Sequence, residues 1–407
     1  MANAQAAAMK KKRKLFSIAN GFDMPFLIIL MLILVIGLVC MYSASYAYAF
    51  YWYDGDSYYF IKRQLAFAVL GVVAMLMIST IDYHVLHKFS WVLWIVSLAL
   101  LVVAYIMPSS TGIHRWIRIP GIGQFQPSEV AKFALIVLYA HLVSLNHKKM
   151  KTFTKGYLPF MAILGITCGL VFIEPHLSGT MLLLGIGLIL MYVGGTRLVY
   201  LLGTIGIGGA AAGYMIFGMG YEKDRIDVWL KPLEMFTKDK DMAWQTVQSL
   251  YAIGSGGLMG QGLGNSRQKH LFLPEPQNDF IFSIVCEELG FIGAVLIIIL
   301  FGLLVWRGFV IGMKAPDKFG SMLAIGLTGQ IGLQVAFNVA VVTNTIPNTG
   351  ISLPFFSYGG TSLVMLLAQM GVVLSVSRRS SALFGSRPLL LSNRIPFPWQ
   401  LRRLLTV

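Results

Sequence analysis

The chain has 407 residues, of which 57% are hydrophobic and 12% charged, and its mean hydropathy is +0.72. A soluble domain carries roughly a quarter charged residues, so the composition excludes an ordinary soluble enzyme, a disordered tail and a nucleic-acid binder of the usual kind. Yet 32 Lys and Arg against 17 Asp and Glu leave a net charge of +15, so the distribution of those charges between apolar runs has to be explained.

Ten apolar runs are long enough to cross a bilayer, for which about 20 apolar residues suffice. They fall at approximately 24–46, 64–81, 90–107, 127–145, 157–173, 177–194, 198–218, 280–306, 319–343 and 358–377. Ala47-Tyr48-Ala49 after the first run imitates a signal-peptidase site, but the apolar core from Pro25 to Met41 exceeds a signal-peptide core. An uncleaved first helix is the better reading. The cluster Lys10 to Lys14 precedes that run and predicts a cytoplasmic N-terminus. An even number of crossings then returns the C-terminus to the same side. The segments predicted inside hold Lys88; Lys148, Lys149, Lys151 and Lys155; Arg197; Arg307, Lys314 and Lys318; and Arg378 with Arg379. The positive excess is therefore an orientation signal, and no nucleic-acid partner is expected.

The chain is thus predicted to be an all-α polytopic membrane protein. A basic cytoplasmic tail (1–23) precedes a ten-helix membrane domain (24–377), and a second cytoplasmic tail (378–407) follows. An extracytoplasmic loop (219–279) between helices 7 and 8 is expected to be ordered, because it holds Trp229, Trp244 and the apolar stretch Val247 to Ile253. Cys40, Cys168 and Cys286 lie in apolar runs and read as buried thiols. Gly209 and Gly213 in span 7 suggest close helix packing.

Polar groups inside apolar runs are costly and point to function. At the start of span 4, Gln126-Pro127-Ser128-Glu129 suits a helix N-terminus, and Glu129 and Lys132 share one face. They are either a self-neutralising pair or one wall of a charged cavity. In the preceding loop, Arg115 and Arg118 sit on the predicted outer side, against the general charge bias. They belong either to an interfacial helix anchored by Trp116 or to an anion site, since guanidinium matches phosphate geometry. Gln330, Gln334 and Asn338 repeat every four residues along span 9, suiting interhelical hydrogen bonds or a hydrophilic groove. Gly254 to Ser266 is glycine-rich but lacks a phosphate-loop pattern. Asp279 lies at the junction with span 8, either as a helix cap or as a general base whose pKa is raised by partial desolvation. Two turns further in lie Glu287 and Glu288, which project about 100° apart, so at most one of them should share a cavity with Asp279.

No H-E-x-x-H, CxxC or nucleophile elbow is present. Chemistry would rest on carboxylates, cations and amides at the outer face. Several segments together resemble the SEDS family (shape, elongation, division and sporulation), whose members are FtsW, RodA and SpoVE. They are Arg115-Trp116-Ile117, Gln126 to Glu129 with Lys132, Glu174-Pro175-His176-Leu177-Ser178-Gly179-Thr180, Gly254 to Ser266, Leu273 to Gly290 and Leu353-Pro354-Phe355-Phe356-Ser357-Tyr358-Gly359-Gly360. They occur in family order over about residues 20 to 380, and the ten-span topology fits. The chain departs from the family's Gln-Pro-Asp-Leu-Gly-Thr, having Glu174 for the Gln and His176 for the Asp, and it has Asn278 where a Thr usually precedes the acidic residue. Gly262 to Ser266 with Gln268-Lys269 looks closer to FtsW and SpoVE than to RodA.

The resemblance implies a peptidoglycan glycosyltransferase that polymerises lipid II at the outer face of the bacterial cytoplasmic membrane, with division as the expected role. It implies Asp279 as the catalytic acidic residue. Arg115, Arg118, Glu129, Lys132, Arg225 and Ser357 are expected around the substrate, the cations stabilising charge on the departing lipid diphosphate. No motif calls for a cofactor, and a divalent cation assisting that departure is the single candidate. The implied partners are lipid II, the growing lipid-linked glycan, a class B penicillin-binding protein and other division proteins. The competing readings are a lipid II flippase or transporter, a scaffold without chemistry, and the elongation or sporulation member of the same family.

Overall fold

The computed structural model describes residues 21–107, 115–119, 123–218, 220 and 223–385. The basic cluster Lys10 to Lys14, residues Gly112 to His114 and the tail beyond Gly385 lie outside the described residues. The chain runs through α1 (Met24–Trp52), α2 (Tyr59–Thr80), α3 (His84–Ile106), the strands β1 (Ile117–Ile119) and β2 (Gly123–Phe125), α4 (Pro127–Asn146), α5 (Leu158–Ile173), α6 (Leu177–Gly194) and α7 (Leu198–Gly213). Three shorter helices follow, α8 (Lys223–Leu230), α9 (Pro232–Lys238) and α10 (Lys240–Gly256), then α11 (Ile281–Met313), α12 (Lys318–Val342) and α13 (Gly360–Gly385).

Among the described residues, nine helices are long and apolar enough to cross a membrane: α1 to α6 and α11 to α13. The seventh predicted run is helical for 16 residues and continues as a π-helical turn, Tyr214–Gly218. Helix starts follow local chemistry. Asp23 accepts the Phe26 N–H at 3.1 Å to cap α1, Asp317 accepts that of Gly320 at 2.8 Å to cap α12, and Pro127 opens α4. All three cysteines are buried and free.

Helices α4, α12 and α13 form the centre, with 67% of their most apolar windows buried. The corresponding share is 22% for α2 and 28% for α3 and α11, whose outward apolar faces suit lipid. Small residues allow the close contacts that hold helices together without a hydrophobic driving force. Gly308 of α11 lies against Thr328 of α12, and Gly371 of α13 lies under the Met75 carbonyl of α2.

Two sequence expectations are corrected. The glycines of α7 do not serve close packing: a methyl group added at Gly203, Gly206, Gly208, Gly209 or Gly213 would meet nothing within 4 Å. The stretch after Arg115 is not an interfacial helix. Ile117–Ile119 pairs antiparallel with Gly123–Phe125, as suits two β-branched residues before Pro120-Gly121.

Helix α11 is broken at Gly290, whose φ of 67° is left-handed. The N–H groups of Phe291 and Ile292 leave their helical partners and donate instead to the carbonyls of Gly257 and Leu258. The freed carbonyls of Glu287 and Glu288 accept from Gln261 and Gly262 at 2.9 and 3.0 Å. The glycine-rich segment thus straps across the break. Gly260 and Gly290 touch backbone to backbone there, leaving no space for a side chain on either.

The carboxylates of the same two residues continue the attachment. Glu287 accepts from the Ser266 hydroxyl and from the Arg267 N–H at 2.9 Å. Glu288 accepts from Lys269 Nζ at 2.6 Å and from the Ser43 hydroxyl of α1 at 2.7 Å. Lys269 is fully buried, with its ammonium 4.7 Å from the centre of the Tyr46 ring. Segment 266–280 therefore leaves α11 at a pair of buried charges and returns to its N-terminus beside Asp279.

Candidate functional site

One cavity of about 1350 Å³ opens where the N-termini of α2, α4, α6, α11 and α13 gather with the C-terminal ends of α1 and α12. It exceeds the usual 300–1,000 Å³ or so of a small-ligand pocket. Its walls include Arg115, Glu129, Lys132, His176, Asp279 and Ser357, brought together from five separate stretches of chain.

Asp279 precedes α11 but does not cap it. The cap position is Phe280, with no side-chain bond. The Asp279 backbone carbonyl accepts from Asn338 Nδ2 of α12 at 2.7 Å, and the same amide holds the Ile351 carbonyl at 2.6 Å. Gly350 lies so close that an added Cβ would be 3.1 Å from Asp279 Oδ2. Among the described residues nothing hydrogen-bonds the carboxylate, which is half-buried and faces the cavity. Burial raises its pKa to about 6; Glu275 pushes the same way and Arg115 opposes. The group is therefore ionised near neutral pH while remaining a better base than a free aspartate.

Glu129 and Lys132 form a buried ion pair at 2.7 Å on the first turns of α4, leaving Glu129 Oε2 without a protein partner among the described residues. Arg115 reaches the Glu174 carbonyl through Nε at 3.3 Å. The Glu174 carboxylate is buried, and its pKa is raised to about 8 by burial, with Arg115 pulling it down. His176 is held neutral, its pKa pushed down to about 3 by burial first and then by Arg115 and Lys132. The two departures from the family motif thus place a neutral imidazole on the cavity wall and an acid just behind it.

Ser357 donates to the Asn278 carbonyl at 2.9 Å and accepts from the Leu353 N–H at 2.7 Å, so it ties the 353–358 turn to the residue before Asp279. Arg118 pairs with Gln124 in the hairpin, and its side chain lies outside the described residues. Arg225 is not on the cavity wall. It sits on α8 and donates to the Asn348 carbonyl at 3.3 Å, two residues from Gly350. Neither Glu287 nor Glu288 lines the cavity; both serve the buried clamp.

The cavity also contains residues that the sequence did not single out. Arg63 lines it, its guanidinium stacked 4.1 Å from the centre of the Tyr59 ring, which itself stacks on Tyr53 at 3.7 Å. The visible signal was Lys62-Arg63-Gln64, which lowers local hydropathy and made span 2 look as if it began at 64; the helix starts at Tyr59. Gln277 and Tyr358 also line the cavity and figure in the sequence only inside longer motifs, while Gln64 lies off the wall. Gln64 is buried and brackets the turn, donating to the Ser357 carbonyl at 3.2 Å and accepting from the Gly359 N–H at 3.3 Å.

Among the described residues no three His, Cys, Asp or Glu side chains converge as metal ligands would. The described residues therefore do not form a dedicated protein cage for a divalent cation, and the cavity wall itself carries carboxylates, an ammonium and guanidinium groups.

A family whose description is "Cell cycle protein", covering FtsW, RodA and SpoVE, matches residues 23–382. Stage V sporulation protein E of Bacillus subtilis (strain 168) is 42% identical over 365 residues, which is 88% of this chain and 97% of that protein. A protein of Geobacter sp. (strain M18) named "Probable peptidoglycan glycosyltransferase FtsW" is 38% identical over 363 residues, 88% of this chain and 98% of that one. Among solved structures, a chain of a peptidoglycan synthase complex, studied for the structural coordination of polymerization and crosslinking, superposes with a TM-score of 0.72 at 25% identity. That match covers 88% of this chain and 98% of the other. The rod shape determining protein RodA of Thermus thermophilus gives a TM-score of 0.62 at 26% identity, over 88% of this chain and 97% of the other. Helical architecture, order of motifs and near full-length similarity agree: this multi-pass membrane protein belongs to the FtsW, RodA and SpoVE family.

Proposed function

We propose that the chain is a peptidoglycan glycosyltransferase of cell division that polymerises lipid II into β-1,4-linked strands at the outer face of the bacterial cytoplasmic membrane. The observation that carries the reading is the convergence, in one large cavity, of a carboxylate with a pKa raised to about 6 and the cations Arg115 and Lys132. In this reading Asp279 takes the proton from the 4-hydroxyl of one sugar. That oxygen bonds to the anomeric carbon of a second lipid-linked sugar from the face opposite its leaving group. The bond from that carbon to the diphosphate oxygen breaks, and its electron pair leaves on the lipid diphosphate, inverting the centre. Arg115 and Lys132 stabilise the charge growing there, Glu129 positions Lys132, and Ser357 holds the backbone beside Asp279. Arg118 and Arg225 remain candidate substrate contacts at the rim.

Similarity to a chain of a peptidoglycan synthase complex supports a class B penicillin-binding protein as partner. The basic residues near the ends of the chain support cytoplasmic termini, and the division role places the protein at the septum. Purified protein with its transpeptidase partner should convert lipid II to glycan strands. Asp279→Asn should fold and bind lipid II, yet polymerise at least about 100-fold more slowly, as loss of a general base does. Normal polymerisation by that variant removes Asp279 from the base role, and transbilayer movement of lipid II without any product favours the flippase reading.

A further inference from the structure

The polar stripe of α12 serves two purposes at successive turns. Asn338 uses its amide N–H groups to hold the Asp279 and Ile351 carbonyls. One turn away, about 5.4 Å along the axis, Gln334 directs Nε2 to the Ser352 carbonyl at 3.0 Å and the Ser352 hydroxyl at 3.4 Å. Those bonds fix the amide orientation, because the reverse rotamer would set Oε1 against the Ser352 carbonyl. Gln334 Oε1 is thereby committed as an acceptor. It has no protein partner among the described residues, although the side chain is only 2% exposed and lines the cavity.

Gln277 brings a second buried amide to the same cavity. The inner atom of that amide meets no protein partner among the described residues, and no bond fixes which of its ends is the acceptor; Gln277 is 2% exposed and lies two residues before Asp279. Its backbone is fixed, the carbonyl accepting from the Tyr358 N–H at 2.8 Å. A buried acceptor without a donor is costly, so Gln334 Oε1, with the Gln277 amide and Glu129 Oε2 also unpartnered among the described residues at the same cavity, calls for a ligand that brings donors. A diphosphate brings none, and its charge is served by Arg115 and Lys132. A cation would prefer the carboxylates of Asp279 and Glu275, which share the cavity. The remaining chemistry is a neutral, donor-bearing ring such as a 2-acetamido sugar, whose 4-hydroxyl and amide N–H sit on one ring, so that the first can meet Asp279 while the second meets an acceptor of the same cavity.

We propose that Gln334, with Gln277 as a second amide of the same cavity, is the specificity subsite that accepts a hydrogen bond from the 2-acetamido N–H of the sugar whose 4-hydroxyl meets Asp279. The proposal rests on the glycosyltransferase reading and names where that enzyme recognises the sugar. The test compares lipid II with an analogue carrying a 2-O-acetyl ester in place of the acetamide on its terminal sugar, which keeps the shape and removes the N–H. Binding to the full chain in nanodiscs and initial polymerisation rate are both measured. Wild type should prefer lipid II by roughly tenfold, the weight of one buried hydrogen bond. In Gln334→Met the preference should fall to about one, while affinity for undecaprenyl diphosphate, which has no sugar, stays unchanged.

An unchanged preference in Gln334→Met, or none in wild type, overturns the subsite and leaves only water at these oxygens. If Gln334→Met does not fold, Gln277→Met reads the same ratio at the second amide of the cavity, and an unchanged ratio there overturns the subsite equally. Wild type that polymerises with no preference sinks the subsite and keeps the enzyme reading. Wild type that binds with a Gln334-dependent preference but makes no glycan keeps the subsite and sinks the enzyme reading.

Discussion

At the scale of single residues, the pKa of Asp279 has a direct kinetic consequence. A base with a pKa of about 6 is active in its deprotonated form, so the specificity constant for polymerisation should be flat above that pH and fall about tenfold per unit below it. Because Glu275 raises this pKa, Glu275→Gln should move the inflection downward. Glu174 titrates in the opposite sense for stability. Its folded-state pKa is raised to about 8 from the ordinary 4.5, so its contribution is fully present below about pH 4.5 and is lost as pH rises to about 8. Thermal midpoints of wild type should therefore decline between pH 7 and 8, and Glu174→Gln should remove that decline. His176 contributes little to this comparison, because it is neutral when folded and its unfolded value of about 6.5 lies below the range. Arg115, Glu129, Lys132, Asp279 and Ser357 could be picked out from the sequence because each is a polar group where an apolar run begins or a motif occurs. The acceptor role of Gln334 could not, since which amide atom is left over depends on a carbonyl that only the fold brings near.

At the scale of elements, the clamp on α11 explains why a lysine and two adjacent glutamates are kept in an apolar setting. Breaking one half of a buried pair leaves the other charge uncompensated, so Lys269→Met should cost about 3–5 kcal/mol of stability. The double variant Lys269→Met with Glu288→Gln should recover most of that loss, and chemical denaturation in a mild detergent would separate the two. A double variant no more stable than the single one would show that the ammonium acts through Tyr46 and Ser43 rather than through Glu288. The glycine-rich segment was legible as unusual backbone. Its purpose was not, because glycine signals close approach without naming what approaches; here it is the broken turn at Gly290. The hairpin after Arg115 was missed because three-residue strands are too short to show a period.

At the scale of the whole molecule, hydropathy and charge located nearly every crossing helix, because bilayer thickness sets their length and leaves little freedom. The run at α7 was located too, though it forms a shorter helix, and its glycines, read as a packing surface, meet nothing within 4 Å among the described residues. Sequence spacing cannot distinguish a glycine face that meets a neighbour from one that meets none. The side opposite the cavity is held by ion pairs that join distant helices: Arg307 grips Asp23 through two bonds of 2.8 Å, and Arg379 reaches Asp82 at 2.6 Å. Those contacts gather the ends of α1, α11 and α13 at one face, while the cavity opens at the other.

The break at Gly290 divides α11 mechanically. An unbroken helix of its 33 residues would be about 50 Å long, well beyond a hydrocarbon core of about 30 Å. Such a rod meets a thinner or thicker bilayer by tilting, and a rigid extension would carry Asp279 with it. With its hydrogen-bond ladder interrupted and the short upper piece fastened to the strap, the lower piece can lean without moving the acid. Polymerisation in vesicles should thus vary less than about twofold across acyl chains that visibly change the tilt of the lower piece. Gly290→Ala, which disfavours the break, should make the rate depend on lipid length. Equal dependence in both proteins would mean that the two pieces move as one.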